Sequence, residues 1–376
     1  MSQTALWRIS ILVSLFWVGV IGVSWYWKHN SYNPNPGGFD SSGSVKKFLS
    51  EHRESFKERN SEEPIYVPTG FFIQSLRFMT KTDIQLKGYI WQKYPLEVPD
   101  SISRDFILPE LVDAADTFTK EEMYREKHED YEVIGWYFEA IMRHHFNYHE
   151  YPLDHKTVTL RLWPKNFTRN VIFTPDFEAY PKNLKDILGI EEDIVLRGWT
   201  LDETFFKYHM IHYQTDFGIG HMVDLRERPE LSFNIVIVRD FHNAFIVHLM
   251  PLMVVLILLF AVVISISKHP EKKEMFGANM HGIIGSCSSL FFVIMLSHIH
   301  LRQEFLGAEV VYVEYFYFLS YAVLLVVALD SYIYLSDKFP NWSLVHSKDN
   351  VMVKVLYWPL VTGISALFTV LAFFSV

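Results

Sequence analysis

The sequence predicts an immunoglobulin-like, all-β sandwich followed by a four-helix transmembrane bundle, with one more apolar helix ahead of both. Three observations carry this reading. Four apolar segments, Ala244–Ile266, Ile283–His300, Val310–Leu335 and Val351–Phe374, fill the last third of the chain. Each is close to the ~20 residues that a bilayer-spanning helix needs. Ahead of them, short β-branched and aromatic runs alternate with turn residues and show little helical periodicity. A separate apolar stretch, Ile9–Trp27, stands at the N-terminus.

At 376 residues, 50% hydrophobic and 16% aromatic, the chain has room for two large units and is too apolar for a purely soluble protein. A net charge of −9 without a long basic run excludes nucleic acid as a partner, because phosphate binding needs clustered Lys and Arg. Between Glu97 and Glu132, twelve carboxylates face four basic side chains, a solvated surface that attracts cations. The single cysteine, Cys287, lies in an apolar segment and reads as a small core residue rather than half of a disulfide.

Residues 1–28 form a signal peptide or a signal-anchor helix. Gly22 and Ser24 offer small residues for cleavage, whereas Trp25, Tyr26 and Trp27 resemble the interfacial aromatic belt of a retained helix, and the belt tips the reading to retention. Residues 29–62 hold a Gly- and Pro-containing linker and then a short amphipathic helix, Ser44–Asn60, with Val45, Phe48, Leu49 and Phe56 on one side. Residues 63–240 form the sandwich. Its strands are expected at Gly70–Phe78, Ile84–Gln92, Val133–His144, Lys156–Trp163, Ile194–Leu201, Phe205–Gln214 and Leu231–Arg239, punctuated by Pro64, Pro68, Pro152, Pro175 and Pro229. Many strands without intervening helices imply an antiparallel sandwich. Residues 241–376 form the bundle. Its loops Lys268–Glu274 and Ser336–Asn350 face inward, Lys268, Lys272 and Lys273 supplying the positive bias. The sandwich is therefore extracellular or periplasmic, on a multi-pass protein of the plasma or inner membrane.

Four landmarks then stand out. Phe146–Leu162 reads FNYHEYPLDHKTVTLRL, an aromatic-Pro-aliphatic-Asp turn leading into a strand. Arg239 ends the last outer strand in NIVIVRDF, with Pro251 twelve residues on. PELVDAADTF covers Pro109–Phe118, and Tyr357-Trp358-Pro359 opens the last helix, while Asp330 sits near the end of the third. In these features the chain resembles the pentameric ligand-gated ion channels, the Cys-loop receptor superfamily, from Pro68 to its C-terminus. The cysteines flanking the central loop in animal receptors are missing, as in prokaryotic members.

The resemblance implies a homopentameric ligand-gated channel, with an agonist bound to the outer sandwich and a pore lined by the second bundle helix. A pore needs polar groups to replace ion hydration and an apolar constriction that can dewet. Gly282–His300 offers both. One face presents His281, Ile284, Ser288, Phe291, Met295, His298 and Arg302, with Ser288 as a polar ring and Phe291 as a gate; the rival face is Ser286, Ser289, Val293 and Leu296. Ion selectivity stays open, the acidic stretch favouring cations. The resemblance also implies that Asp154 and Arg239, with Pro152 and Arg302, couple the outer domain to the pore.

Agonist candidates are the aromatics Tyr131, Trp136, Phe167, Tyr180, Tyr213 and Phe217, the last two on the hairpin Tyr213–Asp224. Ordinary sandwich core explains each aromatic equally well. The agonist is a small molecule or protons. Seventeen histidines, including His144, His145 and His149 near the central loop, supply groups that titrate near neutrality. No phosphate loop, nucleophile elbow or paired cysteine ligands appear, so neither catalysis nor a cofactor or metal is expected. Membrane lipid and inorganic ions are the expected partners. The alternative is a membrane-anchored, non-conducting sensor with the same fold.

Overall fold

The computed structural model describes residues 2–35, 37–39, 41–60, 63–112, 118–166, 169–181, 187–211, 214–215, 217–218, 228–268, 280–305, 307–336 and 349–374. They form two compact units. A sheet unit spans Asn33–Phe146 and His155–Val238, and a helical unit spans Met1–Tyr32, Asn147–Asp154 and Arg239–Val376. The chain opens with α1 (Gln3–Asn30), which belongs to the helical unit, and α2 (Ser42–Asn60), which belongs to the sheet unit.

Nine strands build the sheet unit among the described residues: β1 (Ile65–Phe78), β2 (Asp83–Pro95), β3 (Phe106–Ile107), β4 (Phe118–Lys127), β5 (Tyr131–Arg143), β6 (His155–Pro164), β7 (Val171–Pro175), β8 (Trp199–Ile211) and β9 (Arg228–Arg239). One sheet has the order β4-β5-β2-β1-β7 and the other β3-β6-β9-β8. Strict alternation along β2, with Ile84, Leu86, Ile90 and Tyr94 buried, places one face of the strand in the core. Phe71 of β1 stacks on Phe233 of β9 at 5.0 Å, joining the two sheets through that core. The apolar side of α2 joins it too, through buried Val45 and the Phe48 ring stacked on Tyr208 at 5.2 Å.

Several expectations are corrected. The larger sheet is mixed, because β1 pairs in parallel with β7. Pro68 lies inside β1 rather than in a turn; it is paired with Thr174 of β7, and the β2 ladder starts only at Thr69, so its missing N–H leaves no gap there. Ile194–Leu201 and Phe205–Gln214 do not make two strands; the single strand β8, Trp199–Ile211, takes in the end of the first run and much of the second. β7 is five consecutive buried residues, without the alternation that marks a half-exposed strand. β4 is the opposite case, an almost wholly exposed edge whose charged side chains discourage further pairing.

Gly88 answers a close approach. A Cβ there would stand 2.1 Å from the Phe72 carbonyl oxygen, beside the point where the β1–β2 register slips between Ile73 and Ser75. Part of the acidic stretch is neutralised within the unit. Asp105 accepts from Lys120 and from Lys165 at 3.0 Å, and Arg104 pairs with Glu132 at 2.8 Å. Burial alone would raise Asp105, but the two lysines hold its carboxyl below the ordinary value.

The helical unit adds α3 (Phe241–Ser265), α4 (Met280–Glu304), α5 (Tyr312–Ser336) and α6 (Val351–Phe374) to α1. Among the described residues these five helices are long and apolar enough to cross a membrane. Their outward side chains include Leu12, Phe16, Met253, Ile257, Leu325 and Leu360, the surface of a membrane protein. α3 contains a π turn at Phe245–Leu249 that ends two residues before Pro251, a residue with no N–H to donate. The last helix starts at Val351, so Tyr357-Trp358-Pro359 lies inside it rather than opening it.

A polar knot ties α3, α5 and α6 together where α6 begins. Buried Lys354 donates to the carbonyls of Ile266 at 2.7 Å and Asp349 at 3.0 Å, satisfying a carbonyl at the α3 terminus. Asp349 accepts from Ser267 at 2.8 Å and Tyr334 at 2.9 Å, and Asn350 donates to Asp330 at 2.7 Å. Asp330 thus serves the knot.

Candidate functional site: the Asp154–Arg239 junction and the α4 face

The segment Asn147–Asp154 belongs to the helical unit, although in sequence it joins two strands of the sheet unit. Its end is fixed by a two-pronged ion pair. Arg239 Nε donates to Asp154 Oδ1 at 2.6 Å and Nη2 to Oδ2 at 3.1 Å, while the Arg239 amide donates to the Asp154 carbonyl at 3.3 Å. Asp154 is 2% exposed and the Arg239 side chain 14%. Such a fork holds both charges in one geometry. The guanidinium also sits 4.7 Å above the Tyr151 ring. Burial works against the charge on Arg239, but Asp154 outweighs it and the pKa rises above the ordinary value. Burial likewise pushes the Tyr148 hydroxyl up to about 12. Pro152 follows Tyr151 through a cis peptide bond and is itself buried.

The same segment grips the α4–α5 connection. Tyr151 and Tyr148 pack on Phe305 at 4.6 and 5.4 Å, and the Tyr312 amide donates to the His149 carbonyl at 2.8 Å. Tyr151 also meets His248 of the π turn at 5.7 Å. One segment therefore touches the start of α3, the end of α4 and the start of α5.

Glu314, which the sequence reading passed over, organises the next layer. It is 2% exposed on its side chain and pairs with Arg302 at 3.1 Å and with His298 at 3.2 Å, while the Val311 amide donates to it at 2.8 Å. Val311 caps α5 and Glu314 stands three residues on, one half of a capping box. An acid in an otherwise apolar helix, one of two there with Asp330, was the signal available in the sequence. His298 is also stacked on Tyr317 at 4.9 Å and lies 3.4 Å from the Tyr321 hydroxyl.

On α4, Ile283, Cys287, Ile294 and Leu301 are buried and define the seam against the bundle. Both anticipated pore faces flank it. His281, Ile284, Ser288 and Phe291 are exposed, as are Ser286, Ser289, Val293 and Leu296 of the rival face. Met295, His298 and Arg302 are half-buried, the last two engaged with Glu314. Ser286 and Ser289 return their hydroxyl protons to Gly282 and Gly285, at 2.9 and 3.0 Å. Of the loop Lys268–Glu274, only Lys268 is described; Lys272 and Lys273 lie outside the described residues.

The aromatic candidates of the sheet unit divide. Trp136 and Tyr180 are core side chains; the Tyr180 hydroxyl accepts from the Phe71 amide at 2.8 Å and donates to the Phe71 carbonyl at 2.9 Å. Tyr131 is half-buried, with Lys93 Nζ 5.5 Å above its ring, and lines a cavity of about 660 Å³ with Tyr66, Phe177, Lys46 and Arg53. Phe217 is exposed at a positive φ of 53°. Tyr213 and Phe167 lie outside the described residues, as do most of the hairpin Tyr213–Asp224 and part of Pro109–Phe118. His144 is held between the backbone of Thr159, at 2.8 Å from its carbonyl, and the stacked Phe146 ring; His145 is exposed, and His149 contributes its carbonyl to Tyr312.

A scan against models of known protein families finds no match, and no curated protein matches the chain.

Proposed function

We propose that this chain is a ligand-gated ion channel of the pentameric ligand-gated superfamily. Five copies form a ring, an immunoglobulin-like sandwich outside the membrane takes up a small molecule or protons, and α4 lines the pore. The observation that carries the reading is the buried Asp154–Arg239 fork. It joins a segment continuous with β6 to the root of α3, and the same segment holds the α4–α5 connection through Phe305 and Tyr312. A shift of that segment reaches α4 through direct contact. The exposed polar and apolar positions of α4, Ser288 and Phe291 among them, supply the hydroxyl ring and the dewetting gate that conduction requires.

The test is current across planar bilayers holding the purified protein under a salt gradient, with pH on the sandwich side stepped from 8 to 4 and candidate ligands added in turn. Unitary currents establish the channel, and their reversal potential gives its selectivity. Asp154→Asn is expected to abolish gating while leaving assembly intact, and unchanged currents in that variant would refute the coupling role. Silence from a monomer or dimer would favour a non-conducting sensor, the reading that the bulky exposed Phe291 and Phe292 support.

A further inference from the structure

α6 carries a proline in its interior, and an interior proline leaves the carbonyl four residues back without its helical donor. For Pro359 that carbonyl belongs to Val355. It is met from another helix: Ser10 Oγ of α1, buried at 4% exposure, donates to Val355 O at 2.6 Å. In a membrane no water is at hand to do this, so a neighbouring hydroxyl is the group that answers the loss. Further along, Trp17 lies over Gly363, where a Cβ would stand 3.3 Å from the indole nitrogen, and Trp27 stacks on Phe374 at 4.8 Å. Residues 10, 17 and 27 meet 355, 363 and 374 in ascending order, so the two helices run in the same direction. The buried residues of α1 are Ser10 and Ser24, two heptads apart with Trp17 midway, the seam of a helix packed along its length.

The last two turns of α1 enter the junction. Trp25 Nε1 donates to the Tyr312 hydroxyl at 2.9 Å, and that hydroxyl shares a proton with Thr369 of α6 at 2.6 Å. The Trp25 ring meets Phe241 edge-on at 5.3 Å, and Lys28 pairs with Glu150 at 2.6 Å. Tyr312 is the residue whose amide holds His149, so α1 braces the same turn that the Asn147–Asp154 segment grips. The helix runs unbroken through Gly22 and Ser24, and cutting there would remove the Ser10 and Trp17 contacts together.

From these contacts we infer that α1 is a permanent fifth helix of the bundle, not a cleaved leader, and that Trp25 and Lys28 are positioning residues of the Asp154–Arg239 junction. The inference stands apart from conduction, and its tests need no current. Peptide mass spectrometry of the full chain purified from membranes is expected to recover residues before Gly22; their absence would overturn it. The keyed contact is read by a cycle of Ser10→Ala, Pro359→Ala and the double variant. Ser10→Ala is expected to speed unfolding about fivefold, the factor matching ~1 kcal/mol for one hydrogen bond, but to change nothing in the Pro359→Ala background, where the restored backbone N–H serves the Val355 carbonyl. An equal effect in both backgrounds, or none in either, would overturn the docking. Trp25→Phe keeps a six-membered aromatic ring but loses the five-membered part of the indole and its N–H. It is expected to raise amide exchange about fivefold in peptides covering residues 147–154 and 308–314 and nowhere in mid-bundle; unaltered exchange there would remove the positioning role.

Discussion

Asp154→Asn keeps the size of the side chain and removes its charge, leaving the Arg239 guanidinium facing an amide. Breaking a buried pair from one side costs about 3 to 5 kcal/mol, because the remaining charge is neither paired nor hydrated. The Arg239 side chain retains 14% of its exposure and keeps its place over Tyr151, which puts the cost at the low end, about 3 kcal/mol. That is a factor of roughly 150 in the equilibrium between the closed junction and an opened one. Amide exchange read by mass spectrometry reports that equilibrium directly, through the Tyr312 amide on His149 and the Arg239 amide on Asp154. Exchange in these segments is expected to accelerate by about two orders of magnitude, while the middle turns of α3, α5 and α6 stay protected. Asp154→Asn with Arg239→Gln removes both charges and is expected to recover most of the loss. Unchanged exchange in Asp154→Asn, or acceleration spread evenly over the bundle, would refute the view of the fork as a local clamp.

Tyr180→Phe separates core from ligand contact: it strands the Phe71 amide and carbonyl and is expected to cost about 3 kcal/mol of stability, read as a lower thermal midpoint. A stable variant with altered agonist sensitivity would return Tyr180 to the ligand site. Asp105→Asn tests the lysine clamp through pH. Because the folded pKa lies below the ordinary 3.8, the clamp stabilises fully above that value and is lost as pH falls through the folded pKa. The variant is therefore expected to melt earlier than the parent at pH 7, with the gap closing below pH 4. Gly88→Ala drives a Cβ to within 2.1 Å of the Phe72 carbonyl oxygen, a backbone atom that can yield only by moving β1. The expected cost is about 3 kcal/mol, seen as lost folded yield and a weaker β signal in circular dichroism.

The sequence by itself determined the order of parts: an apolar helix, a strand-rich middle and four spans. Each rests on a local pattern that one segment carries alone, such as the alternation along β2 or the apolar run of α3. The amphipathic α2, the strands β1, β5, β6 and β9, and the pairing of Asp154 with Arg239 were legible for this reason or through the resemblance. What the sequence left open depends on neighbours. β4 was hidden because its exposed edge carries charges rather than alternation, and β7 because full burial on both faces erases alternation. Only the tertiary structure decided that Trp136 and Tyr180 belong to the core and that Glu314 gathers Arg302 and His298. It alone brought Ser10 to the carbonyl that Pro359 leaves free. Each of these is a meeting of residues far apart in the chain, and hydrogen-bond satisfaction in a medium without water is settled between helices, not within one.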